Sequence, residues 1–107
     1  MTVGVLERFE AILAAGKDSA SLRYALGTEY LRIGDGPRAI EHLRAAVAQD
    51  PKYSAAWKLL GRAQADAGLR EEAMESYEKG IGVAEERGDV QAAREMNVFL
   101  KRLKETV

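Results

Sequence analysis

The chain has 107 residues, 16 basic and 17 acidic, a formal charge of −1 and no cysteine. That length fits one domain. The near-neutral balance removes any bulk electrostatic drive toward nucleic acid or an anionic membrane, and the missing cysteine removes disulfides, thiolate metal sites and a cysteine nucleophile. Ala, Leu, Glu, Arg and Lys dominate, with two prolines and few β-branched residues, which is the composition of an all-helical protein. The N-terminal stretch MTVGVLERFEAIL has no basic leader or long apolar core, and no run approaches the ~18 apolar residues of a membrane span. The expectation is a soluble, cytoplasmic protein.

In chain order the pattern predicts six helices, over about 3–15, 20–33, 36–49, 54–67, 70–86 and 89–105. Residues 4–16 form a first amphipathic segment. Ser19 stands where a helix starts, and Gly34 ends that helix in a left-handed turn. Asp35, Gly36 and Pro37 make a turn with proline suited to a first helical position. Ser54 begins the fourth helix, Gly68 ends it, and 70–86 runs on to Gly88. Asp89 can cap the last helix, whose stripe of Val90, Ala93, Met96, Leu100 and Leu103 docks one face and leaves the other for water.

Two glycines break the helical propensity. Gly27 follows Leu26, and 34 residues later Gly61 follows Leu60. Each should cost about 1 kcal/mol relative to alanine. The same offset pairs Gly34 with Gly68, Ala39 with Ala73, Leu43 with Tyr77 and Val47 with Ile81, so 20–53 and 54–87 are two copies of one helix–turn–helix unit. Glycine and alanine fall where helices must approach closely, and Trp57, Leu60, Tyr77 and Leu43 fill the spaces between. The same offset counted toward the N-terminus from Ala39, Leu43 and Val47 reaches Val5, Phe9 and Leu13, so 4–16 reads as the second helix of an incomplete unit. Residues 89–105 read as a capping helix.

This arrangement resembles the tetratricopeptide repeat. Its Leu-Gly pair, first-helix aromatic and Tyr, second-helix Ala and aromatic, and closing Pro are shared out between the two units: Leu26, Gly27, Tyr30, Ala39, Ala46 and Pro51 in one, Trp57, Leu60, Gly61, Ala73 and Tyr77 in the other. Arg23 replaces one aromatic, Gln64 one tyrosine, and Glu85 the second closing proline. The resemblance implies a single all-α domain, a right-handed superhelix of antiparallel helices with a concave face.

Little chemistry is visible. His42, the only histidine, reads as a surface or boundary residue. Glu71, Glu72, Glu75 and Glu78 read as a solvated face, with Glu75 placed to pair with Lys79. Trp57 and Tyr77 read as core rather than an aromatic cage. Val98 and Phe99 cannot both face one neighbour, which leaves one for a partner. The chain is expected to be non-catalytic, with no metal and no cofactor.

The resemblance further implies that ligands lie along the groove made by the first helix of each unit. Carried over, this gives Tyr24, Thr28, Leu31 and Arg32, then Lys58, Arg62, Ala65 and Asp66, with Ala92, Met96 and Phe99 from the last helix. Lys58 and Arg62 are one turn apart and Arg32 adds a third cation, which suits a protein or peptide partner with acidic groups. Ordinary solvated side chains are the competing reading. The two-carboxylate clamp of some chaperone-binding relatives fails here, because Tyr24, Thr28 and Leu59 stand in its places. The preferred reading is a protein-interaction scaffold or adaptor with no nucleic-acid or membrane partner. The alternatives are a homo-oligomer using the incomplete ends, and an enzyme or small-molecule binder.

Overall fold

A computed structural model of the protein describes residues 4–105. All regular elements among them are helices: α1 (Val5–Ala14), α2 (Ala20–Arg32), α3 (Gly36–Gln49), α4 (Ser54–Asp66), α5 (Arg70–Glu86) and α6 (Val90–Glu105). The starts obey local chemistry. The Leu22 N–H donates to Ser19 Oγ at 3.1 Å, Arg38 N–H to Asp35 Oδ1 at 3.2 Å and Ala92 N–H to Asp89 Oδ1 at 3.1 Å. These side chains satisfy donors that a helix start leaves open. Gly34 and Gly68 stop α2 and α4 with φ of 83° and 80°, the left-handed backbone expected of them.

Helices α2 and α3 pair, α4 and α5 pair, and α6 packs across α5 and α4, while α1 rests on α2 alone. The small residues lie at the closest approaches. A Cβ on Gly27 would sit 2.5 Å from Leu43 Cγ, and one on Gly61 would sit 2.6 Å from the Tyr77 ring. Ala39, Ala46 and Ala73 are fully buried. The glycines therefore give up helix propensity for contact between neighbouring helices that no side chain could allow. A third such site, Gly80, has no mark in the repeat pattern. Its Cβ would meet Met96 Sδ at 2.5 Å and Trp57 Cβ at 2.8 Å.

The departures from the repeat pattern have local partners. Gln64, standing in for a tyrosine, accepts a 2.6 Å hydrogen bond from the buried Ser76 hydroxyl. Arg23, standing in for an aromatic, holds Asp18 through two nitrogens at 2.8 and 2.9 Å. Without a closing proline, α5 continues to Glu86, and this shifts the register of α6. Core positions on α6 fall 36 residues after those on α4, not 34: Leu60 answers to Met96, and Gln64 to Leu100, all buried. Met96 is 0% exposed. Its expected place in the groove is therefore corrected, because the two added residues turn it into the core slot above Gly80.

At the other end, Leu6, Phe9 and Leu13 pack against the core, but α1 has no fully buried residue. Val5, aligned with the sealed Ala39, is 48% exposed, since none of the described helices covers it.

Candidate functional site

The groove is built on α4. Residues Lys58 and Arg62 project from one turn and the next, with Ala65 and Asp66 beyond them. Between α2, α4 and α6 lies a hollow of about 390 Å³, lined by Tyr24, Ala55, Lys58, Leu59, Arg62 and Phe99. Toward α5 a second hollow of about 420 Å³ adjoins it, lined by Arg62, Ala65, Asp66, Tyr77, Phe99, Arg102 and Leu103. The two share Arg62 and Phe99 and run as one trough along α4.

Of the eleven residues expected in the groove, Tyr24, Lys58, Arg62, Ala65, Asp66 and Phe99 line this trough. Thr28 is exposed one turn beyond Tyr24, and its hydroxyl donates to the Tyr24 carbonyl at 2.9 Å. Leu31 is half-buried against the core and Arg32 pairs with Glu29 at 2.9 Å, and neither is among the residues lining the trough. Ala92 is likewise half-buried, packed on the α5–α6 core. Sequence reasoning missed Ala55, Leu59, Tyr77, Arg102 and Leu103. Arg102 lies 36 residues after Asp66, so the register of α6 would have found it. Tyr77 reads as core alone in the sequence, with no signal for its hydroxyl end.

Charges along the trough are partly compensated. Lys58 Nζ donates to Glu95 Oε1 at 2.5 Å, and this hydrogen bond holds the Glu95 carboxyl below its usual range. Arg62 and Asp66 approach only to 3.9 Å, both more than half exposed, a geometry that contributes little to stability. The floor is aromatic. Phe99 stacks on Tyr77 with ring centroids 5.7 Å apart, and the Arg102 guanidinium lies 5.9 Å over the Phe99 ring. Val98, its neighbour, is 46% exposed. At the α2 end, Tyr24 leans on Tyr53 at 5.1 Å.

A separate polar cluster joins α1, α2 and α3 away from the trough. His42 is buried, which corrects its reading as a surface residue. Its ring stacks on Tyr30 with centroids 5.4 Å apart and planes 4° from parallel, and its Nδ1 lies 3.1 Å from the Arg23 guanidinium. Arg23 bonds Asp18 and keeps that carboxyl down at about 2. The Tyr30 hydroxyl donates to Glu10 on α1. The cluster supplies polar partners across helix junctions.

Burial lowers the His42 pKa from its usual 6.5, outweighing the opposing pull of Glu10, and the Arg23 cation lowers it further. The folded ring thus holds its proton less tightly than the unfolded chain does. Its contribution to stability is complete above pH 6.5 and lost as pH falls through the lower folded value. Thermal melts from pH 7.5 to 5 should show a declining Tm, with a smaller decline in His42→Phe, which keeps the stack on Tyr30. Direct titration of the ring by NMR should place its midpoint below 6.5.

The remaining surface agrees with ion-paired helix faces. Glu75 pairs with Lys79 at 3.4 Å and Glu72 with Arg44. The Trp57 indole N–H donates to the Pro51 carbonyl at 2.8 Å while its ring packs on the core. Among the described residues no group of three His, Cys, Asp or Glu side chains could hold a metal ion, and no helix is long and apolar enough to cross a membrane.

Comparison with known proteins agrees with this architecture. The family model "Tetratricopeptide repeat" matches residues 24–84. The TPR repeat-containing protein PA0015 of Pseudomonas aeruginosa is 50% identical over 99 residues, which cover 92% of this chain and 94% of that protein. The heat-shock protein cognate co-chaperone sgt12 of Aspergillus fumigatus is 34% identical over 76 residues, 71% of this chain but 22% of its own length. The solution structure of protein BPP2914 from Bordetella parapertussis superposes with a TM-score of 0.82 at 43% identity, covering 96% of this chain and 90% of that one. Such repeats generally mediate protein–protein interaction and are generally non-catalytic. The tandem units, their glycine contacts and these matches together establish that the chain belongs to the tetratricopeptide repeat family.

Proposed function

We propose that this chain is a non-catalytic, cytoplasmic scaffold that binds a segment of another protein in the trough between α2, α4 and α6, with acidic side chains of that segment meeting Lys58 and Arg62. The observation that carries this reading is the continuity of the two hollows through Arg62 and Phe99, an aromatic floor with cations at its edge. The Arg62–Asp66 pair is long and exposed, so a partner's carboxylate can replace Asp66 at little cost. The Lys58–Glu95 bond must be exchanged as well, which favours a segment carrying more than one acid. The likeness to a co-chaperone is consistent with a protein partner.

The test is charge reversal. A protein carrying Lys58→Glu with Arg62→Glu should keep its helicity and lose partners that the unaltered protein retains from native lysate. Retained binding should also weaken as salt screens the contact. If every partner binds the double variant equally well, the groove assignment is wrong.

A second reading, self-association, draws on the uncovered end. Val5 and Ile12 on α1 are 48% and 41% exposed, an apolar surface that none of the described helices covers. Sedimentation across a concentration series separates the two: a monomer throughout the micromolar range removes this one.

A further inference from the structure

The deeper of the two hollows has an unusual floor. Tyr77 is 2% exposed, its ring sealed between α4 and Phe99, yet no hydrogen bond among the described residues engages its hydroxyl. Every side-chain nitrogen or oxygen there that is wholly sealed from solvent does have a partner. The Tyr77 hydroxyl must therefore reach open space, and the hollow it lines is where it does so. Burial pushes its pKa up to about 12, so it remains a protonated donor at any physiological pH. The walls beside it are Ala65, Phe99 and Leu103, while Arg62 stands at the rim, more than half exposed and only loosely paired with Asp66 at 3.9 Å.

An apolar hollow with one donor aimed into it and an exposed, loosely paired arginine at its rim asks for an apolar body, an acceptor at its tip and a carboxylate beside it. We infer that the hollow between α4, α5 and α6 is a selectivity pocket for a tyrosine side chain of an acidic peptide, the ring resting on Phe99 and the phenolic oxygen accepting from the Tyr77 hydroxyl. Carboxylates beside that tyrosine meet Arg62 at the rim. The space of about 420 Å³ admits one aromatic side chain without rearrangement. An anchor that leaves the Tyr77 donor unmet forfeits the hydrogen bond, which is how the pocket separates tyrosine from phenylalanine. This rests on the proposed groove and adds the identity of its anchor.

The test uses three fluorescein-labelled heptapeptides, alternating Glu and Asp around a central tyrosine, phenylalanine or alanine, titrated with the full chain by fluorescence anisotropy. The tyrosine peptide should bind about three- to tenfold tighter than the phenylalanine peptide, and both tighter than the alanine one. Tyr77→Phe, which keeps the packed ring, should erase the difference between tyrosine and phenylalanine. Ala65→Trp, which fills the hollow, should bring both down to the alanine level, with circular dichroism reporting an intact fold. A tyrosine preference that survives Tyr77→Phe overturns the pocket. Equal affinities for all three peptides, lost together on Lys58→Glu with Arg62→Glu, overturn it while leaving the groove in place. No binding by any peptide overturns both.

Discussion

Replacing Gly61 by leucine is expected to destabilise the fold by about 3 kcal/mol and to lower its melting temperature by roughly 10–20 °C. The first added carbon would lie 2.6–2.8 Å from three atoms of the Tyr77 ring, and that ring is wedged against Phe99. An aromatic ring cannot fold aside as a methionine end can, so α4 and α5 must separate. Helix propensity acts in the opposite sense, by about 1 kcal/mol, and does not offset the overlap. Gly82 provides the control. It lies in the same helix as Tyr77, exposed, with no atom within 4 Å of a Cβ. There alanine should raise stability by about 0.5–1 kcal/mol, because only propensity is in play. Thermal melts of the two variants should move in opposite directions; a neutral Gly61→Leu would mean that α4 and α5 are not held this closely in solution.

Met96→Ala should cost about 2–5 kcal/mol. The side chain is fully buried, reaches the surface of Gly80 and is part of the core formed with Tyr77, Ala84, Ala93 and Leu100. Truncation leaves a void that the glycine opposite cannot fill. Met96→Leu nearly conserves volume and should cost less than about 1.5 kcal/mol. Because α6 packs on α5 and α4 and on no other described helix, the loss should be concentrated there, with its amides exchanging faster than those of α2 and α3. A groove residue would behave differently, since its truncation would affect binding and leave the melt unchanged.

The contrast between these two positions shows what a sequence can carry. Gly61 is legible because Gly27 repeats it at a fixed interval, and the same interval places every helix to within a residue or two. Met96 is misplaced when that interval is assumed to persist. One missing proline lengthens α5, and two added residues rotate every later side chain by about half a turn of helix. Gly80 is hidden for another reason: its counterpart in the first unit is Ala46, so no glycine recurs to mark it. The polarity of His42 suggests a surface place, yet a stacked tyrosine and an arginine make its burial tolerable. Those contacts join residues 12 and 19 positions apart, beyond any local pattern. The groove is half legible. Its cations and Phe99 come from the repeat frame, whereas the Tyr77 hydroxyl requires knowing which end of a core ring points outward.

The loose attachment of α1 bears on how this protein comes apart. Helix α1 touches only α2 and seals no residue completely, so detaching it forfeits a small share of the total free energy. The sole tryptophan, Trp57, sits in the central pair and cannot sense that departure. Far-ultraviolet ellipticity, which sums over all helices, should begin to fall before the indole emission changes. Two denaturation curves recorded on one sample would then fail to superpose, and a single unfolding constant would describe neither.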